Sequence, residues 1–313
     1  MVKGHRHQMT GERKMDYVGP MAGLGAAACW AMASILYARV PLGAGAMTTF
    51  KNSLATVCML VLLVITKLSS GDQVFEATAD TWKDISLSGI VGLCLADIAY
   101  FRSIQILGAR RGLTLTLLTP PATALLGDVW LGDRLPPITW LFILITLVGI
   151  GIVMRQNSDR NPDQDLRPGS TRWGVISALL GIATMAIGAV ILKRGLTDVG
   201  PIEGTFIRLL AASVFGCFVS WPLGQFREIA ELLTNRKATV TLCAATALGT
   251  VMGVILMLAA YKYCPTGIAA TLTSTSPLFV IPVVAVVYRE KITALSVLGA
   301  TVAFAGVCGL ILA

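Results

Sequence analysis

Thr114-Leu115-Thr116-Leu117-Leu118-Thr119-Pro120 is answered 157 residues later by Thr271-Leu272-Thr273-Ser274-Thr275-Ser276-Pro277. The same offset lays Gly92 over Gly249, Gly149 over Gly306, and the pair Asp133-Arg134 over Glu290-Lys291. Upstream the match continues at an offset of 156, with Thr49-Phe50 and Leu54-Ala55 repeated as Thr205-Phe206 and Leu210-Ala211. The chain is a duplicated unit. In a membrane protein, two similar halves flanking one site are a transporter signature, because they can move against each other and expose that site alternately.

Composition places the duplication in lipid. With 55% hydrophobic residues, 13% charged residues and a mean hydropathy of +0.75, the 313 residues carry too little polar surface to cover a soluble core. Ten mostly apolar stretches lie at about 19–38, 46–67, 86–107, 112–131, 136–154, 173–192, 204–222, 240–261, 266–288 and 293–313. Each is close to the roughly 20 residues that cross a hydrocarbon core of about 30 Å. They are Gly-rich and lack the alternation of barrel strands, so helices are expected. Trp82, Trp130, Trp140, Trp173 and Trp221 fall at or just beyond the ends of these stretches, where an amphipathic indole prefers the headgroup level. Trp30 alone sits in mid-stretch.

Five spans per half is an odd number, so the second half enters the membrane upside down. The expected architecture is an all-α integral membrane protein with ten transmembrane helices in two inverted five-helix repeats, residues 18–154 and 173–313. Residues 155–172, polar and carrying Pro162 and Pro168, read as the linker between them. The connection 69–84 is polar without a motif, while 226–233 has helical periodicity and suits the membrane interface. The tail, residues 1–17, lacks the apolar core of a secretory signal, so the first helix is expected to direct insertion. Its Lys3, Arg6, Arg13 and Lys14 favour cytoplasmic N- and C-termini in a cytoplasmic-type inner membrane, against the arginines of the 155–172 connection. The net charge of +8 is spread over loops and membrane surface, with no stripe for nucleic acid.

The ends of the fourth and ninth spans, Leu131-Gly132-Asp133-Arg134-Leu135 and Tyr288-Arg289-Glu290-Lys291-Ile292, together with Gly92-Leu93-Cys94-Leu95-Ala96-Asp97-Ile98-Ala99-Tyr100, resemble EamA-type members of the drug/metabolite transporter superfamily. The first half has Asp133 where that family commonly has Glu. The resemblance runs from residue 18 to 313 and implies a secondary transporter, often an exporter of amino acids or other small metabolites.

The residues themselves point to a central cavity. Pro120 and Pro277 fall near the middle of their spans, where proline removes a backbone donor and leaves carbonyls in need of another partner. Paired breaks of this kind mark a midplane site. The hydroxyls of Thr116, Thr119, Ser274 and Ser276 are placed to serve those carbonyls or a ligand; the plainer reading is that they bond one turn back and bend the helix. Asp97 lies near the centre of the third span, where an unpaired charge costs at least about 2.5–3.5 kcal/mol. Tyr100 shares its face one turn on. Trp30 and Tyr37 complete the expected substrate-binding set. Lys51 and Arg208, at nearly equivalent repeat positions, read either as a cationic gate with one residue near each membrane surface or as snorkelling side chains.

Seven scattered cysteines without a CxxC pair read as packing residues, and the two histidines, His5 and His7, lie in the tail, so neither metal nor cofactor is expected. There is no GxxxxGK[ST], HExxH or GxSxG segment to support an ATP-driven pump or a hydrolase, and the expectation is a non-enzyme. The expected partners are the bilayer, a small-molecule substrate and, for a proton antiporter, protons. Two other readings stand beside transport by alternating access: a passive channel or facilitator, and an intramembrane enzyme using Asp97 as acid or base.

Overall fold

The computed structural model describes residues 17–37, 39–71, 75, 77–158, 171–287 and 294–312, and among these every regular element is a helix. The first half comprises α1 (Val18–Tyr37), α2 (Ala44–Ser70), α3 (Ala79–Gly89), a π-helical turn π1 (Ile90–Leu95), α4 (Ala96–Thr116), α5 (Thr119–Leu131) and α6 (Pro137–Ser158). The second comprises α7 (Thr171–Gly195), α8 (Pro201–Ser220), the short α9 (Gln225–Leu233), α10 (Arg236–Ala245), π2 (Thr246–Met252), α11 (Gly253–Tyr263), α12 (Thr266–Thr273), α13 (Ser276–Val287) and α14 (Ala294–Leu312). The tail up to residue 16, residues 159–170 of the linker, and Glu290-Lys291 lie outside the described residues.

Among the described residues, seven helical runs are long and apolar enough to cross a membrane: Val18–Tyr37, Gly45–Ser70, Pro137–Met154, Arg172–Gly195, Pro201–Ser220, Arg236–Tyr263 and Ala294–Leu312. The stretches expected as the third, fourth and ninth spans fall outside this set. The ninth divides into α12 and α13. The fourth divides between the end of α4 and α5, and the third is α3, π1 and the start of α4.

The expected connection between the third and fourth spans is replaced by helix, since α4 continues through residues 108–111 to Thr116. The second half explains the difference. There, α11 ends just before Pro265, which cannot continue a helix. The repeat equivalent of Pro265 is Gly108, which retains its N–H, and the next proline in the first half is Pro120. The polar connection 69–84 is also shorter than expected, because Thr78 caps α3 by accepting from Thr81 N–H.

Repeat-equivalent helices run antiparallel against each other. Between α2 and α8, Thr49 Oγ1 bonds Ser220 Oγ at 2.6 Å and Ser53 Oγ bonds Ser213 Oγ at 2.8 Å, so one number rises as the other falls. Between α6 and α14, Phe142 meets Gly309, Thr146 meets Gly306, and Gly149 meets Ala303 and Gly299. Such antiparallel contact fits halves related by an axis in the membrane plane. The exposed surface carries Leu, Val, Phe and Trp side chains, including Phe218, Trp221 and Val129, as lipid contact requires. α9 buries Ile229 and Leu232 and leaves Arg227 and Glu231 outward, ion-paired at 3.0 Å, in keeping with an interfacial helix.

Gly149 and Gly306, equivalent in the repeat, both lie at this crossing. A Cβ on Gly306 would come within 2.6 Å of Thr146 N and 3.0 Å of Phe142 O, backbone atoms that cannot turn aside. A Cβ on Gly151 meets only Leu117 Cδ1 at 3.5 Å. Gly306→Ala is expected to lower stability by about 1–3 kcal/mol, whereas Gly151→Ala leaves it unchanged or raises it by up to about 1 kcal/mol through helix propensity. Thermal unfolding of the two variants in the same detergent checks this; equal melting points would contradict it.

Candidate functional site

The α2–α8 crossing fixes where its two cations lie. Carried on from Ser53 and Ser213, the register brings Ala55 opposite Ala211, a pair the duplication makes equivalent. Lys51 stands four residues and Arg208 three residues before that point on helices of opposite direction. They are therefore about 6 Å and about 4.5 Å from the crossing, on opposite sides of it. Both are nearer the crossing than the helix ends, and both exert their charge on Asp97.

Asp97 is half-buried in the first turn of α4, directly after π1. The two π turns stand at matching points of the duplication, around Gly92 and Gly249. A π turn is rare, is frequent at functional sites, and leaves backbone groups out of register with the next α turn. At π1 the neighbours press close. A Cβ on Gly89 would lie 2.4 Å from the Arg208 carbonyl oxygen, and one on Gly92 would lie 3.1 Å from Arg208 Nη2. Gly92 gives the guanidinium its room, and Gly89 admits the Arg208 backbone.

Arg208 is 4% exposed, and its Nε and Nη1 are buried without a hydrogen-bond partner among the described residues. The buried Tyr261 lies beside it. Tyr100, one turn beyond Asp97, lies in the field of that carboxylate. Among the described residues no ion pair joins any two of Lys51, Asp97 and Arg208. The crossing thus gathers two cations and an anion without pairing them.

The other expected residues are distributed along the bundle. Trp30 donates Nε1–H to the Gly249 carbonyl in π2 at 2.9 Å, and Tyr37 OH pairs with Thr250 Oγ1 at 3.0 Å, so both bind the first half to the π turn of the second. Pro120 and Pro277 each fall at the second residue of a new helix, a position where the missing N–H costs nothing. The breaks precede them, at Leu117-Leu118 and at the equivalent Ser274-Thr275. Ser274 and Ser276 donate back to the carbonyls of Ala270 and Thr273. Thr116 closes α4 half-buried, and Thr119 Oγ1, at the start of α5, is buried without a partner.

Two residues beyond the expected set join the charged cluster. Thr205, one turn before Arg208, is fully buried with an unpartnered hydroxyl; its sequence signal is the repeated Thr49/Thr205 pair. Tyr261 carries no such signal, since its repeat equivalent is Ile104. Alongside, between α3 and α8, a groove of about 400 Å³ is lined by Ser86, Ile90, Leu210, Ala211, Val214, Phe215 and Phe218. It offers no ionisable group. Among the described residues, no three His, Cys, Asp or Glu side chains gather as a metal would need.

A polar clasp closes one end of the bundle. Gly132, in the left-handed conformation at φ 70°, ends α5 and turns Asp133 toward the start of α12. The Asp133 carboxylate accepts from Thr266 N–H at 3.0 Å and from the Thr266 hydroxyl, and pairs with Lys193 Nζ at 3.0 Å. Lys193 also donates to the Cys264 carbonyl at 2.6 Å. This gives the Leu-Gly-Asp-Arg segment a physical role, since it joins the halves.

The EamA-like transporter family model matches residues 18–155 and again 172–312. The chain belongs to that family. Its two EamA units coincide with the two helical halves, and the membership carries with it a multi-pass membrane protein that acts on a small molecule. The EamA fold is also that of a crystal structure with no stated activity, which superposes with a TM-score of 0.72 over 93% of this chain and 95% of its own, at 13% identity. No curated protein matches the sequence.

Asp133 lies in the connection after α5. Partial burial acts to raise its pKa, but the Thr266 hydroxyl and N–H and the Lys193 ammonium outweigh it and hold the carboxyl below its ordinary value of 3.8. A depressed folded-state pKa stabilises the fold fully above the unfolded value and ceases to do so as pH falls through the folded one. Asp133→Asn is therefore expected to melt below wild type at pH 7, with the gap closing as pH drops below about 4. Melting points at pH 7, 5, 4 and 3 test this, and a gap that is constant across the series would contradict it.

Proposed function

We propose that this chain is a ten-helix secondary transporter that moves a small metabolite by alternating access between inverted repeats 18–154 and 173–313, with 155–172 as the linker. The proposed direction is export across a cytoplasmic-type inner membrane, with both termini in the cytoplasm. The observation that carries the reading is the gathering of Lys51, Asp97 and Arg208 beside the α2–α8 crossing without an ion pair among them. Charges in a membrane interior are costly, and those kept there are placed by default for a substrate or a coupling ion.

The duplication supports the same reading. Asp97 has Val254 as its repeat equivalent, so symmetric packing does not call for an acid. Paired breaks before Pro120 and Pro277 and paired π turns give each half irregular backbone at matching points. Asp97 serves in this scheme as counter-charge or proton carrier, and Tyr100 as its neighbour at the substrate. Trp30 and Tyr37 hold π2 from the opposite half, and Thr116, Thr119, Ser274 and Ser276 lie at the helix breaks.

Counterflow in proteoliposomes tests this, with labelled amino acids, amines, carboxylates and amphipathic cations offered at pH 5 to 8. A transporter accelerates labelled flux when unlabelled substrate is present on the far side. A channel does not, and an enzyme alters the compound. Asp97→Asn is expected to reduce exchange at least about tenfold, the equivalent of about 1.4 kcal/mol, and to flatten its pH dependence. Wild-type exchange with unchanged pH dependence in that variant would remove Asp97 from the mechanism.

A further inference from the structure

Arg208 poses a problem that packing alone does not resolve. A guanidinium has five N–H donors and no acceptor, and it is always charged. Here it is 4% exposed, midway along an intramembrane helix, with Nε and Nη1 lacking acceptors. Thr205 Oγ1, one turn before it, is likewise buried and unpartnered. An arginine kept for stability is held by its partners, because each orphaned buried donor costs about 1–3 kcal/mol. Gly92 leaves the guanidinium its space, since a Cβ there would come within 3.1 Å of Arg208 Nη2.

The charges around it have a definite sign. Lys51 and Arg208 are two cations set against one acid, Asp97. Tyr261, also beside Arg208, is a neutral phenol at physiological pH. Glu203, the buried acid of α8, is engaged elsewhere, accepting from Ala77 N–H at 2.9 Å. The cations therefore outnumber the acid whether or not Asp97 carries its proton. A bound carboxylate reduces that excess, a zwitterion leaves it unchanged, and a cation increases it.

We infer that Arg208, with Thr205 one turn before it, is the receptor for the substrate's anionic oxygens, and that the substrate is a small organic carboxylate of net negative charge. The planar fork of a guanidinium matches a carboxylate, and a hydroxyl beside it donates a further bond. The assignment deepens the transporter reading of the same site and depends on it for the passage of the bound carboxylate.

The test is ligand-induced thermal stabilisation of the purified protein at constant ionic strength and pH 7. Two matched series serve as probes: butyrate, 2-aminobutyrate and butylamine; and 3-phenylpropanoate, phenylalanine and 2-phenylethylamine. Inorganic phosphate is added as the alternative oxyanion. The expected order in each effective series is carboxylate above zwitterion, with the amine inactive and phosphate weaker than the carboxylate. Arg208→Gln is expected to weaken carboxylate binding at least about tenfold while melting, without ligand, at or above the wild-type temperature, because it removes orphaned donors. Thr205→Val, close in shape, is expected to weaken binding without loss of stability. The inference is overturned if no carboxylate stabilises the protein, or if a zwitterion, amine or phosphate does so more strongly. It is also overturned if Arg208→Gln retains carboxylate binding or is destabilised without ligand, or if Thr205→Val binds like wild type. Counterflow with the same probes separates the two readings: exchange of an amine or zwitterion but no carboxylate sinks the anion site and leaves transport standing. A carboxylate that binds but is never exchanged leaves the anion site and removes transport.

Discussion

Two pairs of helices that the duplication makes equivalent, α2 with α8 and α6 with α14, approach each other closely and antiparallel, and lipid makes that approach decisive. Between helices surrounded by acyl chains there is no hydrophobic drive to associate, so small residues and hydroxyls must supply the contact. Gly149, Gly299 and Gly306 provide it at one crossing, and Thr49, Ser53, Ser213 and Ser220 at the other. The rest is arranged around these pairs. The α2–α8 crossing sets the depth of Lys51 and Arg208, and π1, packed on α8, presents Asp97 to both.

Much of the fold was legible because the determining residues are strong local signals. Glycines at equal offsets marked the α6–α14 contact, and tryptophans at span ends marked the limits of helices, with Trp130 and Trp221 indeed terminal and exposed. The continuity of α4 was hidden because an apolar run interrupted by Gly-Ala-Arg-Arg-Gly reads as two spans. Only comparison with Pro265 shows that the first half lacks its helix breaker. The π turns were hidden for another reason: they arise from how one helix accommodates its neighbours, and a glycine alone does not encode them.

The candidate site was only partly legible. Asp97 and Arg208 stood out as ionisable groups in apolar segments, and the structure brings them within electrostatic reach of each other. Trp30 stood out as a mid-span aromatic, but its N–H is committed to the Gly249 carbonyl, a partner created by the tertiary fold. Likewise Ser274 and Ser276 bond back along their own chain, whereas Thr119 and Thr205, no different in type, are left without partners. Hydroxyl chemistry is common to all four, and backbone position decides which is available.

The unequal treatment of Gly108 and Pro265 has a geometric meaning. From Ala79 to Thr116 the first half runs as one helical rod, about 55 Å long at about 1.5 Å per residue. That exceeds the roughly 30 Å hydrocarbon core it passes through. The matching run of the second half stops at Tyr263, and α12 resumes beyond a proline joint. The unbroken run ties Asp97 to the break before α5 without an intervening proline, whereas Pro265 separates α11 from α12. The two copies of one repeat thus differ in continuity at matching points.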